Sequence, residues 1–241
     1  MRGKLVGLGG WLKNSFIDFP GTVSTVLFFS GCNCRCSFCH NPLLVNRAVD
    51  QSFRSDEVWD FLEARKGLIE GVVITGGEPT LYPELKRTIA EMKKMGYRIK
   101  LDTNGLLPDI AESFHADYLA VDLKTSPSRY RDLCQATFDD IGERLAHSIG
   151  MVKMMGENAE VRMTVAPGYI DAQAIRDLLP LVRGVKKVFL QPMEQSVELL
   201  DPVYMSITPV SKTEMHEVRD MLASEVGACV IRGEDSATSL S

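Results

Sequence analysis

Four of the chain's six cysteines, Cys32, Cys34, Cys36 and Cys39, fall within GCNCRCSFCHNP at residues 31–42. Nothing else in the 241 residues restricts the chain so tightly. No stretch reaches the roughly 20 apolar residues of a membrane span, and the opening MRGKLVGLGGW is too short and too glycine-rich for a signal peptide. The expected address is therefore the cytoplasm. In that reducing compartment crowded cysteines serve as metal ligands or redox groups and not as structural disulfides. Cys134 and Cys229 stand alone and read as buried small apolar residues.

Three uses of the loop compete. Structural zinc takes four ligands in a tetrahedron, usually as two separated pairs, and a single tight CxCxCxxC loop suits one small ion poorly. A ferredoxin-like electron carrier needs four cysteines per four-iron cluster, and Cys34 is poorly placed to be the fourth because alternate residues of an extended loop point to opposite sides. The third use takes Cys32, Cys36 and Cys39 alone, spaced CxxxCxxC. Three thiolates then hold three irons of a cube and leave the fourth iron open to a ligand.

The rest of the chain supplies a scaffold. Its 45% apolar composition is enough for a substantial core, and 27 basic against 32 acidic residues give a net charge of −5 without a long run of either sign. That balance argues against nucleic acid as a partner. Apolar or β-branched runs at 24–31, 71–75, 97–103, 117–123, 160–166 and 186–192 predict strands. Helical periodicity fills the intervals. Ser55 is the expected cap of the first helix and Gly67 its stop, while Ser211 and Glu214 predict a capping box on the last. Six β-α units imply an α/β fold with a parallel sheet, open or curled into a partial barrel, and function at the carboxyl ends of the strands. The cysteine loop follows the first run, TGGEPT the second, DTNG the third, DLKT the fourth and QPME the sixth.

SFIDFPGTVSTVLFFSGCNCRCSFCHNP resembles the opening of the glycyl-radical-enzyme activases of the radical S-adenosylmethionine (SAM) superfamily, most closely the activating proteins of anaerobic ribonucleoside-triphosphate reductases. The resemblance covers residues 11 to about 192 and departs at Cys34, where the family has a bulky apolar residue. It implies a partial (β/α)6 parallel barrel of radical SAM type, one domain over 1–232 with its cluster loop at 31–43; the polar composition of GEDSATSLS predicts a flexible tail at 233–241. It implies a 4Fe–4S cluster on Cys32, Cys36 and Cys39, with SAM chelating the open iron and splitting to methionine and a 5′-deoxyadenosyl radical.

The same resemblance distributes the cofactor contacts. Phe38 stands beside the adenine, and Gly76, Gly77, Glu78 and Pro79 form the GGEP motif that takes the methionyl amino group. Read from the residues alone, GGEP is a glycine turn whose acid can accept from an ammonium. Asp102, Thr103 and Asn104 form the segment near the nucleoside, and Asp122 and Lys124 lie near the sulfonium; in some activases these acids also hold a monovalent cation. Arg162 points inward if Val161 and Met163 point outward, and could then clamp the SAM carboxylate. Gln191 corresponds to a ribose or adenine contact, and His40 to a supporting donor beside the cluster.

The implied reaction removes a hydrogen from a glycine in a partner glycyl radical enzyme, with flavodoxin or ferredoxin as electron donor. Alternatives are a small-molecule radical SAM enzyme such as a 7-carboxy-7-deazaguanine synthase, or a non-catalytic iron-sulfur protein.

Overall fold

The computed structural model describes residues 3–48, 54–134 and 138–234. Most of the tail expected at 233–241, from residue 235 onward, lies outside the described residues, as does the side chain of Cys134. The elements are β1 (Leu8–Ser15), β2 (Ser24–Phe29), α1 (Pro42–Val45), α2 (Ser55–Ala64), β3 (Gly71–Gly76), α3 (Leu85–Lys94), β4 (Arg98–Thr103) and α4 (Pro108–Ser113). They continue with β5 (Tyr118–Asp122), α5 (Tyr130–Cys134), α6 (Ile141–Met155), β6 (Ala159–Val165), α7 (Ala172–Val182), β7 (Lys187–Pro192), α8 (Lys212–Ala223) and β8 (Ala228–Ile231). Short 3-10 turns stand at Pro79–Leu81, Pro127–Arg129, Gly156–Asn158 and Pro202–Met205.

The six expected strands are β2 to β7. Two more frame them. β1 pairs antiparallel with β2 from Leu8↔Phe29 to Ser15↔Ser24, with two irregularities in the register. Its LGGWLKNS sequence hides it, because two glycines and an exposed polar half break the alternation that marks a strand. β8 is only four residues long.

Internal packing divides the chain into two compact units, the first made of Met1–Asn33, Asn41–Thr103 and Leu107–Leu119, the second of Cys34–His40, Asn104–Leu106 and Ala120–Ser241. In the first, strand order follows chain order from β1 to β4. β2 lies parallel to β3 from Ser24↔Gly71 to Phe29↔Gly76, and β3 parallel to β4 from Gly71↔Arg98 to Ile74↔Leu101. Covered on both faces, β2 reads as an almost continuous apolar run. Phe19, Val26, Val73 and Tyr118 form a core cluster of this unit. α3 buries Leu85, Ile89 and Met92, one stripe at helical spacing.

In the second unit β6, β7 and β8 run parallel, from Val161↔Val188 to Val165↔Pro192 and from Lys187↔Ala228 to Leu190↔Ile231. Asp171 caps α7 by accepting from the Ala174 N–H at 2.7 Å, and α8 carries the expected Ser211/Glu214 capping box. Ser55 does not cap α2. Its Oγ instead accepts from the Leu5 N–H at 2.9 Å and ties the N-terminal segment down, while Arg54 occupies the cap position.

Candidate functional site

In the first unit the parallel register brings the exits of β2 and β3 side by side, so the start of the cysteine loop and GGEP leave from adjacent strand ends. Gly77 N–H donates to Phe29 O at 2.8 Å and Glu78 N–H to Gly31 O at 2.9 Å. Gly76 has φ +122°, and a Cβ there would lie 2.4 Å from the Phe29 backbone; a Cβ on Gly77 would lie 2.1 Å from Gly31 O. The sequence reads the two glycines as a turn. The structure shows that they admit the neighbouring backbone.

Glu78 is completely buried, and its Oε1 accepts from the Thr80 N–H at 3.1 Å, the Thr80 hydroxyl at 2.6 Å and the Thr103 hydroxyl at 2.9 Å. Pro79 opens the 3-10 turn that delivers the first two donors. Thr103, at the end of β4, joins GGEP to the DTNG segment. On the same strand the Lys100 ammonium forms an ion pair with Asp102, a pairing the sequence reading did not include. Cys32 is half-buried.

In the second unit Cys39 N–H donates to Cys36 O at 2.9 Å, closing a turn between the last two thiols. The segment after β7 holds this turn in place: Leu200 N–H donates to Cys39 O at 2.9 Å and Asp201 N–H to Ser37 O at 3.0 Å. The buried Phe38 ring meets Tyr169 edge-on at 5.3 Å, and Tyr169 lies 5.8 Å from Tyr204. Asn104 Oδ1 accepts from the Leu106 N–H at 3.1 Å while its Nδ2 donates to Cys34 Sγ at 3.5 Å. The departing thiol, Cys34, is thus buried. Cys229 is half-buried, and burial pushes its thiol pKa up to about 11.

Asp122 sits between two cations, accepting from Arg162 Nε at 2.7 Å and Lys124 Nζ at 2.9 Å. Burial would push its carboxyl up, but the Arg162 and Lys124 charges outweigh that and hold it well below the usual carboxylate range. Burial opposes the Lys124 charge, yet Asp122 and the Cys36 thiol keep its pKa above the ordinary lysine value. The side chains of Asp122, Lys124 and Arg162 are 24%, 17% and 13% exposed, so the group is reachable from solvent. Val161 and Met163 are fully buried, whereas the Arg162 side chain is 13% exposed and meets Asp122. Gln191 pairs in register with Thr164 and is half-buried. Burial and the Lys124 charge lower the pKa of His40 against the pull of Asp122 and Glu194.

The donor set suits a thiolate-bound cluster. Four thiols lie in one loop, and Lys124 stands within electrostatic reach of Cys36. Among the described residues no three His, Cys, Asp or Glu side chains converge on one point that could hold a single ion. In a cube each thiolate serves its own iron.

A model of the radical SAM superfamily matches residues 26–179. The chain belongs to this superfamily. Membership implies a 4Fe–4S cluster and SAM. The chain is 28% identical over 237 residues to a Methanocaldococcus jannaschii protein provisionally named a glycyl-radical enzyme activating enzyme, covering 93% of this chain and 95% of that one. It is 28% identical over 222 residues to the pyruvate formate-lyase-activating enzyme of Clostridium pasteurianum, covering 87% of each. It is also 33% identical over 165 residues to a 7-carboxy-7-deazaguanine synthase of Methanothermobacter thermautotrophicus, covering 61% of this chain and 65% of that one. The crystal structure of QueE from Escherichia coli superimposes with a TM-score of 0.54 at 14% identity, over 93% of this chain and 92% of that one, which shows the α/β partial-barrel fold of the radical SAM type. Among the described residues no helix is long and apolar enough to cross a membrane.

Proposed function

We propose that this radical SAM enzyme installs a glycyl radical on a partner enzyme, and that the partner is an anaerobic ribonucleoside-triphosphate reductase. The observation that carries the activase reading is the end-to-end match to an activating enzyme, 93% of one chain against 95% of the other. The choice of reductase rests on the sequence resemblance of residues 11–43. In this reading residues 1–232 act as one radical SAM domain in the cytoplasm, with flavodoxin or ferredoxin supplying the electron.

Cys32, Cys36 and Cys39 would hold the cluster and leave one iron for SAM. When bound, cluster and SAM supply the reductive cleavage that yields methionine and a 5′-deoxyadenosyl radical. The chain's own part is to bind, orient and exclude water. Glu78, oriented by neutral donors, accepts the methionyl ammonium. Asp122, Lys124 and Arg162 together carry one net positive charge; Asp122 holds the two cations in place, and they take the methionyl carboxylate. Phe38 lies against the adenine. Thr103, Asn104 and Gln191 offer polar groups to the nucleoside, Asp102 borders it, and Gly76, Gly77 and Pro79 shape the loop that carries Glu78.

The test is anaerobic incubation of the reconstituted, reduced protein with SAM and the candidate reductase, read by electron paramagnetic resonance. A glycyl doublet on the reductase is expected, and its absence with SAM consumed would refute the assignment. The 33% identity to a 7-carboxy-7-deazaguanine synthase favours a second reading, distinguished by assay for that product. Absence of 5′-deoxyadenosine under all conditions would leave a non-catalytic iron-sulfur protein.

A further inference from the structure

Lys100 is the one lysine of the first unit whose side chain is almost wholly buried, with 2% exposed, and its ammonium pairs with Asp102 two residues along β4. Residues i and i+2 of a strand share a face, so both side chains stand on the face opposite Ile99 and Leu101, which are fully buried. Asp102 is 12% exposed. The Lys100 ammonium also lies 5.9 Å from the centroid of the Tyr118 ring, where the negative face of the ring adds to its stabilisation. A carboxylate this poorly hydrated needs hydrogen-bond donors, as Glu78 has, or a positive charge beside it. A soluble cation or a protein side chain can supply one.

We infer that Lys100 is a tethered counter-cation for Asp102, so that this enzyme needs no soluble monovalent cation at that acid. Lys100 is a positioning residue: it holds Asp102 fixed at the end of β4, next to Thr103 and its hydrogen bond to Glu78. The pairing stands on the geometry alone. Its consequence for SAM rests on the function proposed above.

The test uses the cluster-loaded protein in potassium chloride and in choline chloride at equal ionic strength, choline being too large to replace an ammonium. Two quantities are read, the unfolding midpoint and the SAM dissociation constant. The wild type should be indifferent, with midpoints within about 1 °C and dissociation constants within about twofold. In choline, Lys100→Met should lower the midpoint by roughly 5–15 °C, because an acid is left without its charge partner. Potassium should restore at least half of that loss and tighten SAM binding. Lys100→Met/Asp102→Asn, which removes both charges, should regain most of the midpoint and respond to neither salt.

A wild type that needs potassium, or a Lys100→Met protein blind to it, overturns the inference. Should Lys100→Met fail to fold, a folded double variant beside an indifferent wild type supports the inference, and a double variant that also fails to fold overturns it. If no form binds SAM, the proposed function falls while the midpoints still decide the role of Lys100.

Discussion

Glu78 in the first unit and Asp122 in the second are both carboxylates at or just past the end of a strand, and the chain treats them in opposite ways. Glu78 is fully buried and collects three hydrogen bonds from the amide and hydroxyl of Thr80 and the hydroxyl of Thr103. Those donors fix its orientation. Asp122 is partly exposed and gripped on its two oxygens by Arg162 and Lys124, so its group carries net positive charge. The first arrangement suits an ammonium, the second a carboxylate.

The largest effect bears on the cysteine loop, in which Cys32 belongs to the first unit and Cys36 and Cys39 to the second. Cys36→Ala should abolish cluster retention and SAM cleavage, measured by iron content and 5′-deoxyadenosine. Cys34→Ala should leave both largely intact, and cluster loss there would overturn the ligand assignment.

The next effects separate the two carboxylates. Asp122→Ala leaves two cations without their partner, and denaturant unfolding should show a loss of about 2–4 kcal/mol. Glu78→Gln keeps an acceptor for the threonine donors, so stability should change by less than about 1 kcal/mol. Calorimetry should nevertheless show SAM binding weakened roughly tenfold, the cost of losing a charge-assisted contact. Equal effects of the two substitutions on stability and binding would erase the contrast. Phe38→Leu is the mildest change. Loss of the edge contact with Tyr169 should cost about 0.5–1.5 kcal/mol, with a modest rise in the SAM dissociation constant.

What could be read in the sequence follows the same division. β2 to β7 were legible because their runs are apolar or β-branched and helices of plain periodicity separate them. β1 was not, since Gly9, Gly10, Lys13 and Asn14 interrupt its pattern and it stands at one end of the strand order. The motifs were legible as motifs, but not their partners. Lys100 could have been found, because KLD on a strand places its two charges on one face. The hold of Leu200 and Asp201 on the cysteine loop could not, as backbone hydrogen bonds between residues about 160 apart leave no mark on side-chain composition. Cys34 looked like a spare thiol. Its burial against Asn104 depends on how the DTNG turn folds back on the loop.

The central claim is a thiolate cluster with one iron left for SAM. It is tested most directly in reconstituted, reduced Cys34→Ala, whose loop retains only Cys32, Cys36 and Cys39, by electron paramagnetic resonance before and after SAM is added. A full 4Fe–4S signal that changes on addition of SAM is the predicted result. A cluster whose spectrum SAM leaves untouched would contradict it.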